Sequence, residues 1–371
     1  MFLRPRILDR YIGGQVFSST LFGVAVLCLV LVLGNIFKEM LPRLVDQQVS
    51  LEYFLRFSIY VLPFSLVFTI PWGFLTAVLL VFGRLSADSE LVSMRMAGIS
   101  MRRISAPVLA LACVFSLFCL LVNIEVSPRA RTAIEEMFYS LATQHPEAVL
   151  IEDTVVDAFP ERLIYFRERD DEIMRDVVIF ETDGDSRVSR FVNAREGRMI
   201  ADLDNLEIRF RMKDLYVSAG GGQDMTERMS RVLADEAELP PLDLSQLRER
   251  RLRSSALTNG ELLRLLSEKD GPLERRDKNS FRTELSKRFS FSLACITFAL
   301  IGIPLGITAQ RRETAAGFIL SLVIASLYFL FIILGDTLTN TSTFFAHFFI
   351  WLPNIVFLWL GWHMFKRLNR K

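Results

Sequence analysis

Six long stretches of the chain contain no charged side chain. They are residues 11–37, 57–82, 104–124, 289–310, 314–335 and 337–365. Each has 21 residues or more, and a helix needs about 20 mostly apolar residues to cross the hydrocarbon core of a bilayer. The pattern predicts a polytopic α-helical membrane protein with six transmembrane helices, three before and three after a polar insertion. The first stretch exceeds the roughly 7–15 apolar residues of a signal peptide, so we expect it to remain attached as the first span.

The polar insertion has the pattern of a β domain. Residues 206–213 alternate strictly between apolar and polar side chains, which is typical of a strand with one buried face. Four further short segments are predicted strands: 149–156, 163–166, 175–181 and 188–193. Asp183-Gly184 is a hairpin-turn pair. We therefore predict an inserted antiparallel β domain, jellyroll-like, over about residues 147–239.

These elements divide the chain into three parts. Residues 1–126 form an N-terminal transmembrane half, which includes a short helix in the loop at about residues 84–101. Residues 127–280 form the inserted domain with a helical connector, whose helix begins at a capping box of Thr258 and Glu261. Residues 281–371 form the C-terminal transmembrane half.

The distribution of charge predicts the orientation, because the totals of 43 basic and 42 acidic residues nearly cancel. The net charge therefore gives no indication of a nucleic-acid partner. One set of span ends contains Arg4, Arg6, Arg10, Arg84, Arg95, Arg102, Arg103, Arg311, Arg312, Lys366, Arg367, Arg370 and Lys371. The short loops at the opposite ends contain only Lys38, Arg43 and Arg56. The positive-inside rule then places both termini in the cytoplasm and the β domain on the outer, periplasmic side.

The motifs of common catalytic and metal sites are absent from the sequence. No segment has the glycine, lysine and serine or threonine spacing of a P-loop, and no His-Glu-x-x-His or nucleophile-elbow pattern occurs. All four cysteines lie in the apolar stretches, which excludes a disulfide framework. We therefore expect no catalytic residue, no metal site and no cofactor bound by this chain. His347, the one ionisable residue well inside a predicted span, is either a packing histidine or a functional one.

The loop at residues 84–103 predicts an amphipathic helix. Ser86 is a candidate N-cap, Asp88 and Glu90 suit a first turn, and Gly98 suits a left-handed stop. Leu91, Met94 and Ala97 form its apolar face. Such a helix either docks in a groove of a cytoplasmic partner or lies on lipid headgroups.

Two further sets of residues are candidates for ligand contact. Six basic residues lie beside the predicted outer ends of the spans: Lys38, Arg43, Arg129, Arg131, Lys287 and Arg288. They either bind a phosphorylated ligand or act as anchors that fix helix depth. Four residues share one face of the alternating strand: Leu206, Ile208, Phe210 and Met212. That face either conducts acyl chains or fills a closed core.

The chain resembles the permease family of the lipopolysaccharide exporter, the LptF/LptG or YjgP/YjgQ family, over essentially its whole length. The matching motifs, in order, are Asp9-Arg10-Tyr11-Ile12, Glu90-Leu91, Ala97-Gly98-Ile99-Ser100, Val126-Ser127-Pro128-Arg129-Ala130, Gly317 and Trp351-Leu352-Pro353-Asn354. Each motif is short, and their order and spacing together are specific.

The resemblance implies a subunit of an ATP-binding-cassette exporter in the bacterial inner membrane of Gram-negative cells. Such a permease extracts lipopolysaccharide together with a paralogous permease subunit. A cytoplasmic, LptB-like ATPase dimer binds ATP and magnesium, and periplasmic LptC/LptA-like bridge proteins receive the lipid. It also implies that residues 84–101 are the coupling helix, with Glu90 facing the ATPase, and that Lys38, Arg43, Arg129 and Arg131 are candidates for lipid phosphates.

Two alternatives to this function remain open. One is an ABC permease for another lipid or a lipoprotein. The other is a membrane-anchored periplasmic sensor or scaffold, for which six spans are excessive and a coupling helix is unnecessary. Co-purification of an ATPase distinguishes a transporter subunit from a scaffold.

Overall fold

The computed structural model describes residues 7–39, 51–144, 153, 155–159, 162–170, 173–182, 188–202, 207–219, 230–240, 242–243, 254–267, 275–308, 314–340 and 343–368 of the chain. The chain divides into two compact units. The helical unit comprises Met1–Asn35, Ser58–Thr132 and Arg253–Lys371, and the sheet unit comprises Ile36–Phe57 and Ala133–Leu252.

Six helical segments among the described residues are long and apolar enough to cross a membrane, which confirms the six predicted spans. In chain order the helices are α1 (Ile7–Glu39), α2 (Leu51–Ala87), α3 (Glu90–Met96), α4 (Met101–Leu121), α5 (Ser127–Gln144), α6 (Asn259–Ser267), α7 (Arg275–Thr308), α8 (Thr314–Thr337) and α9 (Thr343–Leu368). The third span consists of α4 and the start of α5, joined by a π-helical turn at Val122–Val126. The short helices α3 and α6 lie outside the spans.

The capping box predicted for α6 is present. The backbone amide of Thr258 donates to Oε2 of Glu261 at 2.7 Å, and the amide of Glu261 donates to Oγ1 of Thr258 at 3.4 Å. The reciprocal bonds satisfy backbone donors that a helix start leaves unpaired. Hydrogen bonding by the Thr258 amide and hydroxyl also lowers the pKa of Glu261 below its ordinary value.

The helices pack closely where glycine faces another backbone. A Cβ atom on Gly361 of α9 would lie 2.7 Å from the carbonyl carbon of Leu300 of α7, so no side chain fits between these two helices. A Cβ on Gly73 of α2 would likewise lie 2.9 Å from the backbone nitrogen of Val24 of α1. The hydrophobic effect does not drive helices together inside a bilayer. Close contacts at small residues stabilise helix association there instead.

A buried polar network also joins α7, α8 and α9. The amide nitrogen of Asn354 donates to Oγ of Ser290 at 2.8 Å, and Oγ1 of Thr297 donates to Oδ1 of Asn354 at 2.9 Å. The hydroxyl of Tyr328 donates to the carbonyl of Ser290 at 3.0 Å. Asn354 belongs to one of the short sequence motifs, and in this fold it links three spans through side-chain hydrogen bonds.

The inserted region is an antiparallel sheet, as predicted. Its described strands are β1 (Val156–Phe159), β2 (Arg162–Tyr165), β3 (Glu168–Asp170), β4 (Ile173–Thr182), β5 (Val188–Asp202), β6 (Glu207–Ala219), β7 (Ser230–Glu238) and β8 (Leu242–Asp243). The strand order is β1-β2-β4-β5-β6-β7, with β3 paired to β4 and β8 paired to β6. Most strands therefore pair antiparallel with the strand that precedes or follows them in the sequence.

The predicted strands at 163–166, 175–181, 188–193 and 206–213 coincide with or overlap β2, β4, β5 and β6. The segment 149–156 lies mostly outside the described residues, and β1 begins at Val156. The pair Asp183-Gly184 also lies outside them. The sheet core includes Phe166, Val177 and Val192, which are buried on one face.

Candidate functional site

A cavity of about 180 Å³ lies among four membrane-crossing segments of the helical unit. Its apolar walls come from α2, α7 and α8 and contain Phe64, Phe68, Phe291 and Ile332. The rings of Phe64 and Phe68 lie 5.1 Å apart, and those of Phe68 and Phe291 also lie 5.1 Å apart, both pairs in an edge-to-face arrangement. One water molecule needs about 10–15 Å³ of such cavity space, so the cavity has room for more than one.

The third span supplies a polar wall to this cavity. Asn123, Ser127 and Arg131 line it at intervals of four residues, which places them on one side of the π-helical turn and α5. The guanidinium of Arg131 lies 4.1 Å from the centre of the Phe64 ring, and its Nη1 donates to Oγ of Ser255 at 3.4 Å. The cavity therefore combines aromatic walls with hydrogen-bond donors.

Lys287 faces the same cavity and links two helices through ion pairs. Its ammonium lies 2.8 Å from Oε2 of Glu284 on α7 and 3.1 Å from Oδ1 of Asp336 on α8. Both carboxylates are thus neutralised by a neighbouring cation. This arrangement satisfies the charge of Lys287 within the chain, so a role for Lys287 in phosphate binding requires these pairs to break.

Arg288 was predicted to bind phosphate, and in the structure its guanidinium is engaged by groups of its own chain. Its side chain is 3% exposed and pairs with Oε1 of Glu284 at 3.2 Å. Its guanidinium also donates to Oδ1 of Asn259 at 2.6 Å and to the carbonyl of Leu257 at 2.9 Å. Two further carbonyls of the connector accept from the same side chain, those of Ser254 and Ser255. Arg288 therefore fixes the connector before α6 to the start of the fourth span.

The remaining predicted phosphate contacts have separate surroundings. Arg129 is exposed and pairs with Glu125 one turn earlier in the helix. Lys38 lies exposed at the C-terminal end of α1, and Arg43 lies outside the described residues. Of the six predicted basic residues, the structure brings together Arg131, Lys287 and Arg288 at the cavity.

At the other end of the spans, α3 is bound to the start of α1. The hydroxyl of Tyr11 donates to Oε2 of Glu90 at 3.0 Å. Beside it, Nη2 of Arg103 at the start of α4 donates to Oδ2 of Asp9 at 2.5 Å. Glu90 is thus engaged by its own chain, a contact that sequence spacing alone does not reveal across 79 positions.

The predicted apolar face of this helix is only partly available to a partner. Leu91 is buried in the core of the helical unit and Met94 packs against that core, so both side chains are engaged by their own chain. Ala97 is exposed just after the helix. The apolar side chains on the open side are instead Val92 and Met96, of which Met96 is 85% exposed. A helix of only seven residues is too short for its sequence pattern to show which side faces the bundle.

The helix bounds in this loop also differ from the prediction. The second span continues as α2 to Ala87, so Ser86 lies inside it and donates to the carbonyl of Ile307 at 3.0 Å instead of capping α3. The residue before α3 is Ser89, in a left-handed conformation with φ 61°. Gly98 has φ +81°, which confirms the predicted left-handed stop.

His347 is hydrogen-bonded inside the bundle. Its Nδ1 lies 2.7 Å from Oγ of Ser286 on α7. This bond gives the half-buried ring a partner and supports the packing interpretation.

The predicted acyl-binding face of the sheet is buried where it is described. Phe210 and Met212 are fully buried in the sheet core, Leu206 lies outside the described residues, and Ile208 is paired in register with Leu242. The burial of Phe210 and Met212 supports the closed-core interpretation of this face.

Six membrane-crossing helical segments, an inserted antiparallel sheet and a helix tied to the first span define a polytopic helical membrane protein with a β domain. The family model of the lipopolysaccharide export system permease LptF/LptG matches residues 10–367. The chain therefore belongs to this permease family, as the sequence motifs indicated. A comparison with curated proteins found no match.

Proposed function

We propose that this chain is a permease subunit of an ABC transporter that extracts lipopolysaccharide from the inner membrane and passes it to periplasmic bridge proteins. The observation that most supports it is the family match over residues 10–367. The chain supplies the membrane path, and a partner ATPase dimer that binds ATP and magnesium supplies the energy. A paralogous permease subunit completes the transport pathway.

The orientation belongs to the same proposal. Both termini and α3 face the cytoplasm, and the sheet lies in the periplasm, because the basic residues of the short loops are concentrated on the α3 side. On this orientation the cavity lies near the periplasmic ends of the spans, where lipopolysaccharide enters from the outer leaflet.

The coupling contact is proposed to be α3. Its exposed side offers Val92 and Met96 to a groove of the ATPase, and its Glu90 is held by Tyr11 of the first span. Movement of the ATPase thereby reaches α1 through the Tyr11–Glu90 hydrogen bond, and the Asp9–Arg103 ion pair joins α1 in turn to α4.

The lipid contacts are proposed to be Lys38, Arg43, Arg129 and Arg131, which would attract the phosphates of lipid A near the membrane surface. Lys287 and Arg288 are left out of this set because the buried carboxylate of Glu284 holds both of them. The ion pair of Arg129 with Glu125 is exposed. An open edge of the sheet would accept a strand of a bridge protein.

Affinity purification from membranes tests the function. The tagged full chain should retain an ATPase and a second permease, and mass spectrometry of the retained lipid should detect lipopolysaccharide. A retained ATPase with a different lipid would point to a permease for that lipid. Retention of periplasmic partners without an ATPase would point to a sensor or scaffold and would contradict the proposal.

A further inference from the structure

The connector before α6 is held in place through its backbone. Residues 254–257, which we call the strap, have four consecutive carbonyls that each accept a hydrogen bond from a side chain. Arg288 of α7 donates to three of these carbonyls, and Oγ1 of Thr132 on α5 donates to the fourth, that of Ala256, at 3.1 Å. The strap thereby joins the helix that follows the third span to the helix that forms the fourth.

The bonds on the α7 side of the strap are costly to break. Arg288 is 3% exposed, and its guanidinium also holds Oε1 of Glu284 at 3.2 Å and Oδ1 of Asn259 at 2.6 Å. Oγ of Ser280 adds a hydrogen bond to Oγ of Ser254 at 3.1 Å. Separation of the strap from α7 would leave donors of a buried guanidinium without acceptors, which is unfavourable.

The bonds on the α5 side are weaker, and their donors have other partners. Nη1 of Arg131 donates to Oγ of Ser255 at 3.4 Å, a longer distance than the usual range of about 2.7–3.2 Å. The same guanidinium lies over the ring of Phe64. The hydroxyl of the exposed Thr132 is also within 3.2 Å of the carbonyl of Pro128 in its own helix. Because both donors keep an interaction when the strap leaves, separation from α5 costs less than separation from α7.

The helix of the third span is interrupted just before α5. The π-helical turn Val122–Val126 lies between α4 and α5, and Pro128, the second residue of α5, has no backbone N–H to bond the preceding turn. Before the π-helical turn, α4 is joined to α7, because Oγ of Ser116 donates to the carbonyl of Ser292 at 2.5 Å. The chain is therefore fixed on one side of the turn and weakly attached on the other, which is the arrangement of a hinge.

The seam between α5 and the strap borders the cavity of the helical unit. Ser127 and Arg131 line the cavity from α5, and Ser255 and Arg288 line it from the strap and from α7. The described lining contains three basic and two acidic side chains, so water or another polar molecule is a more favourable occupant than an apolar one. Separation at this seam would open the cavity to polar molecules.

We propose that α5 swings about the π-helical turn and opens the cavity along its seam with the strap during each transport cycle. The strap stays with α7, because Arg288 holds it there, and α5 moves away from both. In the closed state Thr132 and Arg131 hold the seam. The hinge rests on the proposed function only in that ATP hydrolysis by the partner drives the opening.

Cysteine pairs test the seam in the full complex of this chain with its paralogue and ATPase. The four native cysteines are replaced by alanine in this background. Thr132→Cys with Ala256→Cys closes the seam by a disulfide, and Ser254→Cys with Ser280→Cys joins the strap to α7, where no movement is expected. Oxidation of the seam pair should lower export of lipopolysaccharide by about fivefold or more, and a reductant should restore it. Oxidation of the second pair should leave export within about twofold of the reduced state.

A reporter in the cavity wall measures the opening without reference to export. Ser127 is 6% exposed, so Ser127→Cys should react slowly with a water-soluble maleimide while the seam is closed. Thr132→Val removes one bond of the seam and should raise that rate by about two- to tenfold, the factor that corresponds to one net hydrogen bond. Thr308→Val is the matched control, because the Thr308 hydroxyl donates to the carbonyl of Pro304 in its own helix at 2.9 Å.

Three results would overturn the hinge. Normal export with the seam cross-linked would show that the seam stays closed during transport. Equal inhibition by the two cysteine pairs would place the moving boundary elsewhere. An unchanged labelling rate in Thr132→Val, in a complex that melts like the wild type, would show that the seam does not hold the cavity shut, and this measurement decides alone if the seam pair fails to assemble.

The same preparations separate the hinge from the proposed function. Export of lipopolysaccharide by a complex with a cross-linked seam removes only the hinge. Faster labelling in Thr132→Val by a complex that exports no lipopolysaccharide removes only the proposed function.

Discussion

The hydroxyl of Tyr11 donates a 3.0 Å hydrogen bond to Oε2 of Glu90, which joins the second turn of the first span to the first residue of α3. Leu91 beside it is buried in the core of the same helical unit. Because α3 is held by both a polar and an apolar contact, a partner that displaces α3 must also move α1. Glu90 is therefore a link within the chain.

Removing the Tyr11 hydroxyl should weaken this link. We expect Tyr11→Phe to lower lipid export per ATP hydrolysed by about two- to tenfold, the equivalent of one net hydrogen bond. Glu90→Ala should have a similar effect, and the double variant should be no worse than Glu90→Ala alone, because the two residues act through one contact. Glu90→Lys should be more severe, since it replaces the acceptor with a cation.

Tyr60→Phe provides the same chemical change at another position in the spans and serves as the control. Export and ATP hydrolysis are measured together in proteoliposomes that contain the whole complex. Normal export by Glu90→Lys at normal expression would show that the link is dispensable.

The open side of α3 should contact the ATPase. Met96→Asp and Val92→Asp place a charge on exposed apolar positions, so we expect them to reduce co-purification of the ATPase while the melting temperature of the permease changes little. Leu91→Ala should behave in the opposite way, because loss of a buried leucine costs about 2–5 kcal/mol of stability. If the aspartate variants retain the ATPase fully, α3 does not present this side to it.

Arg288 should be required for stability and not for phosphate binding. Arg288→Met leaves the buried carboxylate of Glu284 with one partner fewer and releases three carbonyls of the connector, so we expect a loss of about 3–5 kcal/mol. The double variant Arg288→Met and Glu284→Leu should recover part of that loss, because it also removes the buried carboxylate that lost a partner, while Lys287 keeps Asp336 as its own partner. Thermal unfolding in detergent measures both. A stable Arg288→Met variant with weakened lipid binding would restore the phosphate role.

The sequence predicted the elements that long, regular patterns specify and missed the contacts that depend on how those elements meet. Six long uncharged stretches predict six spans because each is long enough to cross the hydrocarbon core as a helix. A helix also pairs all of its backbone hydrogen-bonding groups, which the bilayer requires. The strand β7 was missed because Ala234 and Ala237 are separated by two consecutive acidic residues, which breaks the strict apolar/polar alternation that indicates a strand. The roles of Asn354 and Arg288 were hidden for a different reason. Each depends on partners from other helices, and residue type alone does not distinguish a structural arginine from a ligand-binding one.

Close backbone packing at Gly361 should make it intolerant of any side chain. A Cβ there would lie within 2.9 Å of three backbone atoms of Leu300 and Ile301, so Gly361→Ala forces α7 and α9 apart and should lower the melting temperature by several degrees. Gly34→Ala is the matched control, because a Cβ at Gly34 meets no atom within 4 Å. Equal melting temperatures for the two variants would mean that the helices separate without cost.

The last prediction concerns the sheet face that contains Phe210 and Met212. Both side chains are fully buried, and a Cβ at Gly197 on the paired strand would lie 2.7 Å from the sulfur of Met212, so this core has no room for an acyl chain as it stands. We therefore expect a photoreactive phenylalanine analogue at position 210 to capture only neighbouring protein, with and without ATP. Phe210→Ala should cost about 3–5 kcal/mol, measured by thermal unfolding of the full chain. The same probe at the exposed Leu233 of β7 reports whether lipid reaches the surface of the sheet. Capture of lipid at position 210 during ATP hydrolysis alone, in a chain shown to be folded, would mean that the core opens in each cycle and that this face conducts lipid after all.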